Sequence, residues 1–297
     1  MPLPPTLHCG PSGWAYPHWN GIVYPRTKPR GFHALEFLAR YFDAVEINTS
    51  FYQPIRPEIA RLWLNKVSHN SRFAFTAKLQ RRFTYERVLE SAEVAAFKEG
   101  MFPILKAGRL GCVLMQFPWT FRYTEENREY FIRLRRAFHE FPLVAEMRHS
   151  SWMYEEALGT LIDYRVGFCN IDQPLFAKSI KPSATSTSMV GYVRLHGRNY
   201  QNWFREEAGP EERYDYLYAP DELEPWIARI KEIAKQTKET YVIANNHFRG
   251  QAVTNALEVK AVVEEERVPG PAQLLETYPR LIESITPDAA NNQRSLF

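Results

Sequence analysis

The run YVIAN at residues 241–245 is apolar up to its last residue, and NHFRGQAVTNALEV at 246–259 carries it into a helical pattern. It reads as a buried strand that turns into an amphipathic helix. Seven comparable strand-like runs precede it, at residues 7–11, 44–47, 73–77, 110–116, 143–147, 166–170 and 191–196. Helical spacing of apolar residues appears at 32–41, 57–67, 91–106, 125–138, 152–164, 221–236 and 251–263, with Pro57 and Asp221 suited to helix starts. Residues 173–189 read as loop. Six such units make an open sheet. The eighth strand, at 241–245, predicts instead a parallel sheet closed on itself, a single-domain (β/α)8 TIM barrel over residues 1–263. A charged connector and one further helix are expected over 264–285, and a flexible polar tail over 286–297.

Bulk properties agree with a soluble globular domain. The 297 residues are 45% hydrophobic and 24% charged, with a formal charge of +3 that specifies no nucleic-acid partner by itself. Cys9, Cys112 and Cys169 show no CxxC spacing and sit in strand-like runs, so they read as small core thiols in a reducing compartment. The N-terminus lacks the pattern of a signal peptide and no run spans a bilayer, which predicts a cytoplasmic protein with no membrane partner.

In a barrel of this kind the loops after the C-terminal strand ends form the active face. The strand ends here supply Glu46, Lys78, Gln116, Glu146, Arg148, Asp172, Arg194, His196 and Asn246. Glu46 and Glu146 each stand between apolar neighbours, where an unpaired carboxylate is costly, and Lys78, Arg148 and Arg194 are the available counter-charges. Glu46, Glu146, Asp172 and His196 are the candidate catalytic groups for acid/base work. Lys78, Gln116, Arg148, Arg194, Asn246, Trp14 and Tyr218 are the candidate substrate-binding groups for an anionic substrate. A closed salt-bridge network that only fills the barrel mouth accounts for the same charges. The four catalytic candidates also offer ligands to a divalent ion, but no HxxxH or HxE signature accompanies them, so metal and cofactor stay open. Aromatics interleaved with bases around residues 198–218 suit single-stranded nucleic acid, stacked sugars, or plain loop packing.

The motifs GPSGWAYPHWNGIVYP (10–25), YFDAVEINTSFYQP (41–54), MQFP (115–118), AEMRHSSW (145–152), GYVRLHGR (191–198) and VIANNHFRGQAVTNA (242–256) resemble, in order, those of the YecE-like family, domain of unknown function seventy-two. The resemblance implies a (β/α)8 barrel and site positions at Glu46, Lys78, Gln116, Glu146, Arg148, Asp172, Arg194, His196 and Asn246. It brings no established reaction. Pro11 stands where the family usually has Thr. The likeness of such barrels to endonuclease IV and to sugar isomerases implies phosphodiester or sugar chemistry, although the metal set of endonuclease IV is not present here.

The tail ends NNQRSLF, and Gln293, Leu296 and Phe297 resemble the short motif by which bacterial repair proteins dock on the sliding clamp. The leading expectation is therefore a DNA-associated phosphodiesterase or nuclease in repair, acting on single-stranded or damaged DNA with the sliding clamp as partner. The alternatives are an enzyme for a phosphorylated sugar or sugar acid, and a non-catalytic nucleic-acid binding module.

Overall fold

Residues 6–203, 205–207 and 209–288 are described by the computed structural model. Strands β1 (Thr6–Pro11), β2 (Ala44–Ile47), β3 (Ala74–Lys78), β4 (Leu110–Gln116), β5 (Leu143–Glu146), β6 (Gly167–Asp172), β7 (Val190–Leu195) and β8 (Glu239–Ala244) form one parallel sheet. Its order is β1-β8-β7-β6-β5-β4-β3-β2. The ring closes where Ser12 bridges Glu46, with the Gly13 amide donating to the Glu46 carbonyl at 2.8 Å. At this seam the backbones of β1 and β2 run so close that a Cβ on Gly10 would stand 1.7 Å from the Ala44 carbonyl oxygen, so only glycine fits. The (β/α)8 barrel is as expected, with strand ends within a residue or two of the sequence reading.

Helices α1 (Ala34–Leu38), α2 (Pro57–Lys66), α3 (Arg81–Thr84), α4 (Ser91–Lys106), α5 (Glu125–Ala137), α6 (Glu155–Asp163), α7 (Pro210–Arg213), α8 (Pro220–Gln236) and α9 (Gln251–Glu264) fill the connections. Local chemistry sets their ends. The Thr124 hydroxyl accepts the Asn127 amide at the start of α5, where Glu125 and Glu126 occupy the first turn and Arg135 and Arg136 the last. Helix α8 buries Leu223, Trp226, Ile230 and Ile233, a three- and four-residue spacing that presents one stripe to β7 and β8.

Strand periodicity sorts side chains between two cores. Val45, Ile47, Phe75, Ala77, Val113, Met115, Ala145 and Met147 face the helices. Ala44, Cys112, Leu114, Val144, Cys169, Ile171, Tyr192, Tyr241 and Ile243 fill the barrel interior. All three cysteines are buried free thiols, as expected of core residues.

The C-terminal part differs from expectation. Residues 268–287 form a small parallel pair, β9 (Val268–Gly270) with β10 (Ile285–Pro287), and between them lie a short α10 (Leu274–Thr277) and a 3-10 turn at Pro279–Glu283. Pro279 supplies no amide hydrogen and disfavours helix at Tyr278, so the single helix expected there is broken in two. Val268, Leu274, Leu281 and Ile285 pack with Trp19, Tyr24 and Phe37, which makes this segment an integral part of the domain rather than a connector. Thr286 and Pro287 belong to β10, so the tail expected from residue 286 starts no earlier than 289. Gln293, Leu296 and Phe297 lie outside the described residues. Among the described residues no helix is long and apolar enough to cross a membrane.

Candidate active site

Extending the interior register by two residues past the last apolar side chain of each strand gives Glu46, Gln116, Glu146, Arg194 and Asn245. Lys78 and His196 follow on the same faces of β3 and β7. The barrel mouth is therefore polar because the inward faces of these strands turn polar toward their C-terminal ends. Glu46, Glu146, Arg194 and His196 are completely buried.

Arg194 stands at the centre. One terminal nitrogen donates to Glu46 Oε1 at 2.7 Å and faces Asn245 Oδ1 at 3.3 Å. The other donates to Glu146 Oε2 and to Gln116 Oε1, the latter at 3.1 Å. Glu146 Oε1 accepts from Arg148 at 2.7 and 3.1 Å. Glu46 is held further by Ser12 Oγ at 2.6 Å and Tyr192 Oη at 2.9 Å. Removing a carboxylate from water raises its pKa, yet the guanidinium between the pair outweighs that effect and holds Glu46 below, and Glu146 well below, the usual carboxylate range. Both carboxylates are thus anions at neutral pH, and their oxygens are already occupied.

The hydrogen bonds also determine the protonation of His196. Arg194 can only donate, so the Asn245 oxygen faces it and the Asn245 amide nitrogen faces His196 Nδ1, at 3.0 Å. Nδ1 is then an acceptor, and the neutral ring carries its proton on Nε2, 3.4 Å from Glu146 Oε1. Burial lowers the His196 pKa to about 4, with Arg194 adding to the effect against Glu146.

Asp172 is placed differently from the other catalytic candidates. Cys169 and Ile171 occupy the inner register of β6, so Asp172 points to the outer layer and is gripped by Arg198 at 2.9 and 3.2 Å. The same parity turns Asn246 outward, where it donates to the Tyr216 carbonyl and to Asn255, both at 2.8 Å. Tyr218 is completely buried and accepts the Gly197 amide at 2.8 Å. Asp172, Asn246 and Tyr218 therefore brace the loops after β6, β7 and β8 and lie outside the Arg194 cluster. Trp14 packs edge-on to Trp63 beside a separate aromatic groove lined by Tyr24 and Phe32. Asn245 stands in the Arg194 cluster instead, and its place two residues beyond Ile243 is the signal in the sequence.

Above the ionic core lies a cleft of about 270 Å³. Gln116 and Arg148 reach it from the core, Tyr85 and Trp119 from the loops after β3 and β4, and Trp203, Arg213 and Tyr214 from the loop after β7. Trp203 and Tyr214 stand over His196 with ring centroids 6.0 and 6.2 Å away, and the Arg148 guanidinium lies 5.6 Å from the Trp203 ring. Arg213 has no ion-pair partner among the described residues. One terminal nitrogen donates to the Arg205 carbonyl at 3.0 Å, and its buried Nε meets no acceptor. Arg122 beside Trp119, and Lys178, likewise have no acidic partner among the described residues. Sequence reasoning missed Tyr85, Trp119 and Arg213. Arg213 ends the mixed-charge segment REEAGPEER (205–213), and only the folded loop turns it inward. Among the described residues no group of three or more His, Cys, Asp or Glu side chains is placed to hold a metal ion.

Fold and site together define a class: a (β/α)8 barrel whose mouth is built on an arginine locked between two glutamates. The chain belongs to the family described as Protein of unknown function DUF72, which matches residues 8–277. It is 29% identical over 278 residues to UPF0759 protein YunF of Bacillus subtilis, covering 88% of this chain and 95% of that protein. UPF0759 protein YecE of Escherichia coli is 29% identical over 117 residues, 39% of each chain. The crystal structure of a DUF72 family protein from Thermotoga maritima is similar with a TM-score of 0.76 and 32% identity, over 87% of this chain and 99% of that one.

Proposed function

We propose that the chain is an enzyme acting on a small anionic, ring-bearing substrate, a phosphorylated sugar or sugar acid, bound in the cleft over the ionic core. The observation that carries this reading is Arg213, a guanidinium in the cleft wall without an acidic partner among the described residues. The core sets three cations, Arg194, Arg148 and Lys78, against two carboxylates, Glu46 and Glu146, and Arg213 and the unpaired rim cations add to this excess of positive charge. A planar fork of donors grips phosphate or carboxylate with two parallel hydrogen bonds. Trp119 and Trp203 offer flat apolar faces to a ring, and about 270 Å³ accommodates one ring with its anion rather than a duplex. In this reading Glu46 and Glu146 are positioning residues that hold Arg194.

Isothermal titration of the full chain with hexose phosphates, sugar acids and inorganic phosphate tests the reading. At least one phosphorylated or carboxylated sugar is expected to bind, and Arg213→Gln is expected to weaken it about 10- to 100-fold, the loss of one charge-assisted bidentate contact. Equal binding by Arg213→Gln rejects it.

The nuclease expectation retains one supporting feature. Trp119 with Arg122, and Trp203 with Arg148, pair an aromatic face with a cation, as single-strand binding sites do. Salt-dependent oligonucleotide binding with turnover of bis(p-nitrophenyl) phosphate would favour it, and binding without turnover would favour the non-catalytic module.

A further inference from the structure

Lys78 ends β3 on the inner register with its side chain only 13% exposed. Its ammonium lies 3.7 Å from Glu46 Oε1, outside hydrogen-bond reach, and no side-chain hydrogen bond from Nζ is found among the described residues. The reason lies in the neighbours. Glu46 Oε1 already accepts from Ser12 and Arg194, and Oε2 accepts from Tyr192. The other side of the amine meets the face of Phe51, 5.7 Å from the ring centroid. A three-donor cation is thus buried beside two arginines, with Glu46, its carboxylate within 4 Å, claimed by others. Burial and the two arginines favour the neutral amine, the nucleophilic form, and outweigh Glu46, Glu146 and the ring face of Phe51, which favour the charged one.

We propose that Lys78 is a reactive amine that condenses with the carbonyl carbon of an aldehyde or ketone bound at the barrel mouth. The amine nitrogen forms a bond to the carbonyl carbon, and the carbonyl oxygen leaves as water with the two amine hydrogens. The resulting imine takes up one proton from solvent and becomes an iminium ion. Phe51 connects this amine to the cleft. Its ring packs edge-on to Tyr85, whose hydroxyl accepts from Gln116, and both of these line the cleft. Lys78 itself stands behind these rings, so the carbonyl of a substrate whose anion sits at Arg213 has to pass Phe51 and Tyr85 to meet it. Burial and the adjacent Arg194 lower the Lys78 pKa to about 8. At pH 7.5 the neutral fraction is then about 200-fold that of an ordinary lysine. The anchoring of a substrate rests on the anionic-ligand reading, whereas the reactivity of the amine does not.

Reductive methylation of the full wild-type chain at pH 7.5, with limiting formaldehyde and cyanoborohydride, reads the amine directly by peptide mass mapping. Lys78 is expected to be modified at least tenfold faster than the exposed Lys28, Lys178 and Lys235, with a rate that half-saturates near pH 8. Modification no faster than at the surface lysines, or a rate that rises only above pH 10, overturns the proposal. A second arm uses dihydroxyacetone phosphate and dihydroxyacetone in place of formaldehyde. Trapping of either at Lys78 supports the imine, and trapping of neither, with formaldehyde still reacting, overturns it. Preference for the phosphorylated ketone that Arg213→Gln abolishes supports the anionic-ligand reading. Equal trapping of the two ketones rejects that reading while the amine assignment stands.

Discussion

Replacing Arg194 with methionine is expected to destabilise the chain by roughly 3–5 kcal/mol at pH 7. The substitution removes the only group among the described residues that touches both Glu46 and Glu146, and leaves two fully buried carboxylates with no guanidinium between them. Arg148 and Lys78 remain, but Arg148 reaches only Glu146 and Lys78 stands 3.7 Å from Glu46. Arg194→Lys is expected to recover little, because one ammonium cannot span two carboxylates with a fork of parallel donors. The triple variant Glu46→Gln, Glu146→Gln, Arg194→Met is expected to regain most of the loss, since the cost comes from the stranded charge and not from the missing volume. Urea unfolding at pH 7 measures all four proteins. A loss below about 1 kcal/mol for the single variant shows that water or a rearranged lysine reaches the carboxylates, which the complete burial of the core opposes.

Acidification is expected to cost several kcal/mol of stability between pH 6.5 and 4, and two histidines carry most of it. Burial lowers the pKa of His196 to about 4 and that of His247 to about 3, from an ordinary value of 6.5. At His196 the Glu146 carboxylate opposes burial while Arg194 and Arg148 reinforce it, and at His247 His18 and Lys78 reinforce it. The sign follows from linkage. Both folded-state values are depressed, so the unfolded chain binds protons first as pH falls below 6.5. The stabilising contribution is present above pH 6.5 and is lost as pH drops, with a limiting slope of about 2.7 kcal/mol per pH unit for two protons. Glu46 and Glu146, also depressed, extend the loss below their ordinary range. Urea midpoints from pH 8 to 4 check this. His196→Gln and His247→Gln are each expected to halve the slope, and a midpoint constant over pH 6.5–5 contradicts the neutral buried state of both rings.

Much of this site was legible before the fold was known. Glu46 and Glu146 stood out because apolar neighbours on both sides mark a carboxylate that the chain must bury. The cations able to neutralise them were identifiable as Lys78, Arg148 and Arg194. Asp172 and Asn246 have the same local pattern beside a strand end, but a shift of one residue moves a side chain from the barrel interior to the helix layer. Counting back from Asp172 to Ile171, or from Asn246 to Ile243, separates the two faces. Tyr218 and Trp14 carried no such mark, since an aromatic ring in a loop has the same pattern whether it lines a cleft or braces one.

The eight strands, the helices between most of them, the barrel and the charged composition of its mouth follow from local patterns, because strand period, helix period and buried charge are properties of neighbouring residues. The folded chain was needed to show that Arg194 sits between both glutamates, that Lys78 is left without a hydrogen-bond acceptor among the described residues, and that Arg213 turns into the cleft. Those three facts depend on side chains 32 to 148 positions apart competing for the same oxygens, or on the path of one long loop. Such competition is settled by distance in space, for which spacing along the chain has no counterpart.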